Sequence, residues 1–471
     1  MPVPQPNVVA QRPPVQPAPH SAAESPAGST PPGVPSEMPS RPGDRAVALA
    51  LGASAVVLAA ALAREPRLVG GESGMAVSGV ALHLPRLYVA LAPWSGLLDT
   101  LGLLSVRQHE ALVATTVLLV AIWRLRVARR RVAPAGVLPR TERAARHALA
   151  SVAALAGIAA LYAAGVLLPR PMAGLRAADP DAVLVDFHSH TDASHDGRRG
   201  FTRDANRAWH HAAGFDVAYV TDHASPSTAR PAARLAAAAD VSLARNGTTL
   251  LPGVEVVYRG EHVVGLGADV VAALTDGPAV PARVPPWPVL IQTIPERLAG
   301  ITGADAHGDG GVLAIELAGA APRGIEQARR EHERMLRLAD SLDVAVVAGS
   351  NQHGWGRTAA AWSVLRIAGW HAMTPGALDA AIQRAIRRRR RHAVRVVVRH
   401  PVPGARSAVG LALVGPAVVW TTLATQSPAE RAMTLGWIWL AATLAIVGRR
   451  AGPARGVRRT TSPPETARRA A

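Results

Sequence analysis

The chain has 471 residues, which is long enough for more than one structural unit, and it contains no cysteine. The lack of cysteine excludes disulfide bridges, thiolate metal sites and cysteine nucleophiles, so histidine and carboxylate side chains are the strong metal ligands that remain. The formal net charge is +18, but the arginines cluster beside apolar segments, as is typical of membrane proteins. No aromatic–basic alternation suited to stacking on bases accompanies them, so we expect no nucleic-acid binding.

Low-complexity segments occupy both ends of the chain. Residues 1–45 are rich in Pro, Ser and Ala without periodicity, and residues 450–471 are basic. Such segments cannot bury enough apolar surface to offset the entropy cost of ordering them. We therefore expect a disordered tail at each end.

Apolar runs that could cross a bilayer fall into two groups. We expect N-terminal transmembrane helices at 46–170 and a C-terminal transmembrane hairpin at 407–449. The uncharged runs are 46–63, 87–98, 111–123, 148–168, 408–425 and 432–448. Pro93 interrupts the run 87–98, which is open to three interpretations: a span, a re-entrant piece or an interfacial helix. Arginine flanks the uncharged runs, so the sequence predicts an integral protein of the cell membrane.

The basic segments give conflicting indications of the side of the membrane on which the region between the two groups lies. Residues 124–146 form a short basic loop, which the positive-inside rule assigns to the cytoplasm, and this leaves the region after the next span outside. Residues 384–399 and the basic tail favour the cytoplasmic side instead. An extracytoplasmic domain is preferred because 384–399 can belong to the folded region, but the side stays open.

The polar region at 179–400 alternates Val-rich runs with Ala/Arg-rich segments of helical character. This alternation favours an α/β domain with a mainly parallel sheet, whose site lies at the carboxyl ends of the strands. The predicted strands contain 182–185, 217–220, 250–251, 263–266, 312–315 and 344–347, and the predicted helices are 202–213, 227–239, 322–340 and 375–391.

Residues that ligate metals end or follow these predicted strands. His188 and His190 share a face after the run 182–185, because side chains alternate along a strand. The candidate ligands are His188, His190, His195, Asp196, His223, Glu255, His262, Asn351 and His353. Imidazole and oxygen donors suit Zn, Mn or Fe, and their number exceeds what one ion needs, so we expect two or three divalent metal ions. Such a cluster can hydrolyse a phosphate ester through a metal-bound hydroxide.

The order of these motifs resembles that of the PHP (polymerase and histidinol phosphatase) family of metal-dependent phosphoesterases. The matching elements are Asp186-Phe-His-Ser-His-Thr191 with Ser194-His-Asp-Gly197, then Thr221-Asp-His223, Gly253-Val-Glu255 and His262 to Leu266. The resemblance covers about 181–356 and leaves out the membrane segments. It implies a distorted (β/α)7 barrel with metal ions at the strand ends.

The resemblance also implies roles for the matching residues. His188 and His190 would bind one ion, Glu255 would bridge two ions, and His223 would be a ligand at the neighbouring position. His262 would be a ligand or a phosphate donor. The family has a single ligand between Ser and Gly in its first motif, where this chain has both His195 and Asp196, and either one can ligate. The expected catalytic residues are Asp196, His262, His353 and Arg357.

Two departures from the family pattern bear on activity. The last motif reads Gly349-Ser-Asn-Gln-His353, so neutral Asn351 stands where the family has an aspartate. The His-Pro motif of a middle strand is missing, and Glu316 at the end of the corresponding run is either a replacement ligand or an ordinary carboxylate.

The sequence thus predicts a membrane-anchored, metal-dependent hydrolase that acts on a small-molecule or lipid phosphate ester. One alternative is an amidohydrolase-type metal hydrolase, although the region offers no obvious lysine ligand and Thr-Asp-His fits the first prediction better. The other alternative is a catalytically impaired sensor or binding protein, which the Asn351 motif would explain.

Overall fold

The computed structural model describes residues 42–130, 140–223, 247–258, 261–268, 270, 289–293, 312–404 and 406–450. Its α-helices are α1 Pro42–Ala63, α2 Arg86–Ala90, α3 Trp94–Leu101, α4 Val106–Arg130, α5 Arg140–Leu167, α6 Arg203–Ala213, α7 Pro322–Leu342, α8 Pro375–Arg389, α9 Ala408–Ala412, α10 Val414–Ala424 and α11 Pro428–Arg450. Its strands are β1 Leu68–Gly70, β2 Val80–His83, β3 Gly174–Ala177, β4 Ala182–Ser189, β5 Val217–Val220, β6 Thr249–Tyr258, β7 Glu261–Leu266, β8 Leu290–Gln292, β9 Val312–Ala318, β10 Ala345–Ala348, β11 Ala361–Arg366 and β12 Arg395–Arg399.

Within these residues, ten strands form one sheet in the order β1-β12-β11-β4-β5-β6-β7-β8-β9-β10, and β2 pairs with β3 separately. The sheet curls into a half-barrel, because β10 also packs against β4, β11 and β12. Gln352, just after β10, forms a bridge with Ser189 at the end of β4. The curl therefore brings the carboxyl ends of strands that are distant in the sheet order to one place.

The predicted α/β class is confirmed, but the sheet is mixed rather than mainly parallel. Strands β4, β5 and β6 are parallel to one another, as are β8, β9 and β10. Strand β7 is antiparallel to both of its neighbours, β6 and β8. Only residues 259–260 separate β6 from β7, and so short a connection permits a hairpin but no parallel crossover.

The predicted strand runs all lie in or at strands of this sheet, and three of the predicted helices correspond to α6, α7 and α8. The fourth, at 227–239, lies outside the described residues, as do 1–41 and 451–471 of the predicted tails. The predicted strands did not include β1, β8, β11 and β12 of this sheet. Strand β1 comes from the N-terminal segment and pairs antiparallel with β12.

The interior of the half-barrel is filled by small and branched apolar side chains. Val185, Phe187, Val217, Tyr219 and Ile291 are fully or almost fully buried there. The rings of Phe187 and Tyr219 stack with their centroids 5.6 Å apart. This packing fixes β4 beside β5 and so sets the positions of the polar residues that follow both strands.

Among the described residues, three helices contain segments long and apolar enough to cross a membrane: Gly43–Ala63, Ala144–Leu167 and Pro428–Gly448. The run 87–98 is divided between α2 and α3 by Pro93, and 111–123 lies within α4. The run 408–425 is divided between α9 and α10. Helix α10 has 11 residues, about 16 Å at 1.5 Å per residue, which is shorter than the bilayer core of about 30 Å. The C-terminal hairpin thus has one arm of spanning length.

Candidate metal centre

The strand ends and the loops after them bring six of the predicted ligands into one cluster with Glu255. His188 lies on β4 and His190 just after it, Glu255 lies on β6, and His262 lies on β7. His223 follows β5 and forms a bridge with Glu255, because β5 and β6 are parallel neighbours. Asp196 comes from the loop after β4, and His353 from the loop after β10.

The carboxylate of Glu255 is the centre of this cluster. Its Oε2 lies 3.2 Å from Nε2 of His188, 3.2 Å from Nε2 of His190 and 3.5 Å from Nε2 of His223. Its Oε1 lies 2.7 Å from Nδ1 of His262. One carboxylate therefore faces four imidazoles through its two oxygens, which is the arrangement expected of a ligand that bridges two ions.

Asp196 and His353 extend the cluster on the other side of His190. Oδ2 of Asp196 lies 3.0 Å from Nε2 of His353 and 3.4 Å from Nε2 of His223. The His353 ring stacks on His190 at a centroid distance of 4.1 Å. Three groups of side chains that could hold an ion result: His190, Asp196, His223 and His353; His188, His190 and Glu255; and His223, Glu255 and His262.

The distances in the second group match the size of a bound ion. The two Nε2 atoms of His188 and His190 are 3.1 Å apart, and each is 3.2 Å from Oε2 of Glu255. Ligands bound to Zn²⁺ at about 2.0–2.1 Å in a tetrahedral arrangement lie roughly 3.3 Å from one another. The donor set and its spacing thus fit a small divalent cation, while the identity of the metal is not fixed by them.

The electrostatics of the cluster favour cation binding. Burial lowers the pKa of His190 to about 3, so its ring is neutral and carries a lone pair for a metal. Burial opposes ionisation of Glu255, but the imidazoles, His188 foremost, outweigh it and hold the pKa of that carboxyl well below its usual value. Burial likewise opposes ionisation of Asp196, and the Ser194 hydroxyl and His353 outweigh it and lower its pKa. Both carboxylates are therefore ionised.

His188 lies between two buried carboxylates. Its Nδ1 is 2.9 Å from Oε2 of Glu316, on the side of the ring away from Glu255. Burial lowers the pKa of His188, but Glu255 and Glu316 outweigh it and raise the pKa well above the usual value. Burial raises the pKa of Glu316. A carboxylate on the second nitrogen of a metal-binding imidazole fixes the orientation of the ring, and this is the position that Glu316 occupies.

Two further carboxylates, those of Asp186 and Asp222, form hydrogen bonds that hold the loops in place and do not point into the cluster. Asp186 accepts hydrogen bonds from the backbone N–H groups of His188 and Ser350 through Oδ1, and its Oδ2 lies 2.7 Å from Nε2 of His210 on α6. It thereby joins β4 to the loop after β10. Asp222 accepts hydrogen bonds from both the N–H and the hydroxyl of Thr191.

The structure places His195 and Asp196 differently. His195 is exposed, and its ring contacts that of His223 at a centroid distance of 4.8 Å. Asp196 points its carboxylate at His223 and His353, and Ser194 donates a hydrogen bond to it at 2.8 Å. Of the two residues that the first motif offers, only Asp196 belongs to a group able to hold an ion among the described residues.

Asn351 contacts the residues of the cluster through its backbone. Its N–H donates to the carbonyl of His188 at 2.7 Å, and its carbonyl accepts from Nδ1 of His353 at 2.8 Å, which leaves Nε2 of His353 for Asp196 or an ion. It adopts a positive φ of 46°, a conformation that Asn tolerates better than most residues. Its side-chain Oδ1 is buried without a hydrogen-bond partner among the described residues.

Arg357 lies beside the cluster, on the wall of a pocket that also includes Asp196 and His353. Burial lowers its pKa, with a contribution from Arg170 and Arg198. The sequence analysis assigned no positioning role to three supporting residues, Asp186, His210 and Asp222. Asp186 and Asp222 sit inside the motifs themselves, which was the available signal, whereas nothing in the sequence around His210 marks it.

No family model matches the chain, and no curated protein matches it. Among solved structures, the chain is similar to PsfC from Pseudomonas syringae, with 16% sequence identity over 51% of this chain and 98% of that chain. The TM-score is 0.29, so the likeness decides neither the fold nor the function.

Proposed function

We propose that the chain is a membrane-anchored, metal-dependent phosphoesterase with a PHP-type barrel, in which the ten-stranded half-barrel supplies the site. The observation that carries the proposal is the shared carboxylate of Glu255, which faces four histidines at the ends of β4, β5 and β7: His188, His190, His223 and His262. A bridging carboxylate surrounded by imidazoles is suited to holding two cations side by side. Paired cations are a recurrent means of hydrolysing phosphate esters.

In this proposal, one ion would be held by His188, His190 and Glu255, and a second by His223 and Glu255 with Asp196, His353 or His262. When bound, the ions would neutralise phosphate charge and lower the pKa of a water molecule. Glu316 and Asp186 would orient the ligands through His188 and the backbone. Among the histidines of the cluster, His262 has a largely open ring, 53% exposed, and we assign it contact with the substrate phosphate.

Hydrolysis of the ester forms a bond from the oxygen of water to phosphorus and breaks the bond from phosphorus to the ester oxygen, which takes up a proton. Arg357 would stabilise the negative charge of the phosphate, because a guanidinium pairs well with phosphate oxygens. Asp196 and His353, 3.0 Å apart, can share the proton that water releases.

The test uses the full-length protein in detergent or nanodiscs, purified without added metal. Metal content by mass spectrometry and hydrolysis of p-nitrophenyl phosphate and bis-p-nitrophenyl phosphate are measured with Mn²⁺, Zn²⁺ or Fe²⁺. We expect bound metal and turnover, with Glu255→Gln losing both. Glu333→Gln, on the exposed face of α7 with its side chain 77% exposed, is the matched control and should keep both.

The outcomes separate the competing functions. Metal binding with no cleavage of either ester would favour a sensor or binding protein over an enzyme. Absence of bound metal in the wild-type protein would contradict the proposal altogether. The amidohydrolase alternative has no support from a lysine ligand, because the sequence contains no lysine.

A further inference from the structure

A pocket of about 430 Å³ joins the metal centre to the membrane helices. One wall is polar and comes from the loops after β4 and β10, with Asp196, His353 and Arg357. The opposite wall is apolar and comes from α3 and α5, with Leu98, Leu101, Leu161 and Val166. Its size lies within the range of roughly 300–1,000 Å³ that is common for small-molecule sites.

The apolar wall is attached directly to a candidate transmembrane helix. The carbonyl of Val166, near the end of α5, accepts a hydrogen bond of 3.1 Å from the N–H of Gly356, next to Arg357. The apolar segment Ala144–Leu167 ends here, and none of its most apolar window is buried in the protein. The pocket thus lies where a lipid-facing helix meets the catalytic loop.

The polar wall carries a guanidinium, that of Arg357, which has no acidic partner among the described residues. Arg357 is half-buried. Arg198 lies nearby, where it donates to the carbonyl of Gly354 and covers the ring of Trp355 at 5.4 Å. A partly buried guanidinium without an acidic partner is stabilised when a bound ligand supplies the negative charge.

We infer that the substrate is a membrane lipid with a phosphate ester, whose phosphate lies at the metal centre beside Arg357 and whose apolar chain lies against α3 and α5. This inference rests on the proposed phosphoesterase activity and adds the substrate class to it. A soluble phosphate ester would use the polar wall alone and leave the apolar wall facing water. A lipid would contact both walls, the polar wall with its phosphate and the apolar wall with its chain. It would reach the pocket along α5 without leaving the bilayer.

Gly165 offers a way to block the apolar half without touching the metal centre. It lines the pocket, and a Cβ atom at this position would lie 3.4 Å from Cδ2 of Leu98, an ordinary contact. Alanine should therefore fit, whereas the rest of a leucine side chain must extend into the pocket. Gly157, two turns earlier on the same helix, has no atom within 4 Å of such a Cβ and provides the matched control.

The experiment compares lipids with their chain-free counterparts on the full-length protein in nanodiscs. The pairs are dioleoyl phosphatidic acid with glycerol 3-phosphate, and dioleoyl phosphatidylglycerol with glycerophosphoglycerol. We expect kcat/KM to be at least tenfold higher for the lipid of one pair. Gly165→Leu should lower that lipid-to-chain-free ratio by tenfold or more, while Gly157→Leu and Gly165→Ala keep it.

A binding measurement accompanies the kinetics and needs no turnover. Phosphatidic acid with a photoactivatable chain should cross-link to α3 and to the end of α5, and Gly165→Leu should abolish these cross-links. If chain-free esters are cleaved as well as lipids, or cross-links do not change in Gly165→Leu, the lipid assignment is overturned and the phosphoesterase proposal stands. If no ester of either kind is cleaved with any metal, the phosphoesterase proposal fails and the assignment falls with it.

Discussion

Asp196 and His353 are 157 positions apart in the chain, yet Oδ2 of one lies 3.0 Å from Nε2 of the other. The loop after β4 and the loop after β10 meet here because the curl of the sheet brings β10 against β4. This pair closes the cluster on the side of the pocket, and it favours Asp196 over His195 in the choice that the first motif leaves open. Asp196, and not its neighbour His195, directs its side chain to the other ligands.

The first prediction concerns this choice. Asp196→Asn should lower phosphoesterase turnover by about 100-fold or more, because a neutral amide is a poor metal ligand and cannot take a proton from water. His195→Ala should lower it by no more than about threefold, because the exposed ring only contacts that of His223. Steady-state kinetics at saturating Mn²⁺ checks both. Equal losses in the two variants would contradict the assignment.

The second prediction concerns Glu316. Glu316→Gln removes the negative charge 2.9 Å from Nδ1 of His188 and should weaken metal binding by about 10- to 100-fold, the usual effect of losing such an orienting partner. Competition with a fluorescent chelator measures the affinity. The exposed Glu333→Gln variant should bind metal like the wild type. Unchanged affinity in Glu316→Gln would show that the carboxylate only packs against the ring.

The third prediction concerns the link between metal binding and stability. The cluster places two ionised carboxylates and several histidines together, so an ion that binds only the folded state should stabilise it. At a free metal concentration of about 100 times the dissociation constant, the gain is about 2.7 kcal/mol. Thermal unfolding in detergent should show a higher Tm with metal than with EDTA. The Glu255→Gln variant should show little difference between the two conditions.

The fourth prediction concerns pH and a carboxyl group outside the site. Burial raises the pKa of Asp216 to about 6, despite the hydrogen bond that it accepts from the N–H of Leu184. The unfolded chain has an Asp pKa near about 3.9, so the folded state binds more protons between these values and loses stability as the pH rises from about 4 through about 6, by roughly 2–3 kcal/mol in total.

Asp216→Asn keeps an oxygen that can accept from Leu184 but cannot ionise. It should therefore raise the Tm at pH 7.5 and have little effect at pH 4.5. Asp204→Asn, a carboxyl with its side chain 85% exposed on α6, should show no comparable pH-dependent gain. A gain of equal size at both pH values would point to packing instead of ionisation.

The local pattern of residues along the sequence was sufficient to predict part of the candidate site. Alternation along β4 places His188 and His190 together, and the parallel pairing of β5 with β6 brings His223 beside Glu255. These relationships follow from strand geometry, so a single sequence can reveal them. The predicted (β/α)7 barrel is a more specific fold than the mixed half-barrel sheet of the structure, so the barrel stays a prediction.

Other relationships depend on tertiary structure and could not be predicted from the sequence. The contact of Glu316 with His188 arises because the curl of the sheet folds β9 and β10 back toward β4. The direction of Asp196 depends on a tight turn, in which Gly197 donates to the carbonyl of Ser194 at 3.1 Å. A Cβ at Gly197 would lie within 1.9 Å of the Thr191 carbonyl oxygen, so only glycine fits. Spacing in the sequence does not reveal which of two adjacent loop residues such a turn points inward.

Strand β1 has a consequence for how the protein is made. Leu68 pairs with Arg399 at the edge of the sheet, so the strand that follows α1 pairs with one of the last strands to be synthesised. At translation rates of about 5–20 residues per second, the N-terminal strand waits tens of seconds for its partner. Under the proposed membrane anchoring, insertion of α1 precedes closure of the sheet, and a ribosome stalled before β12 would leave an anchored chain with an unpaired edge.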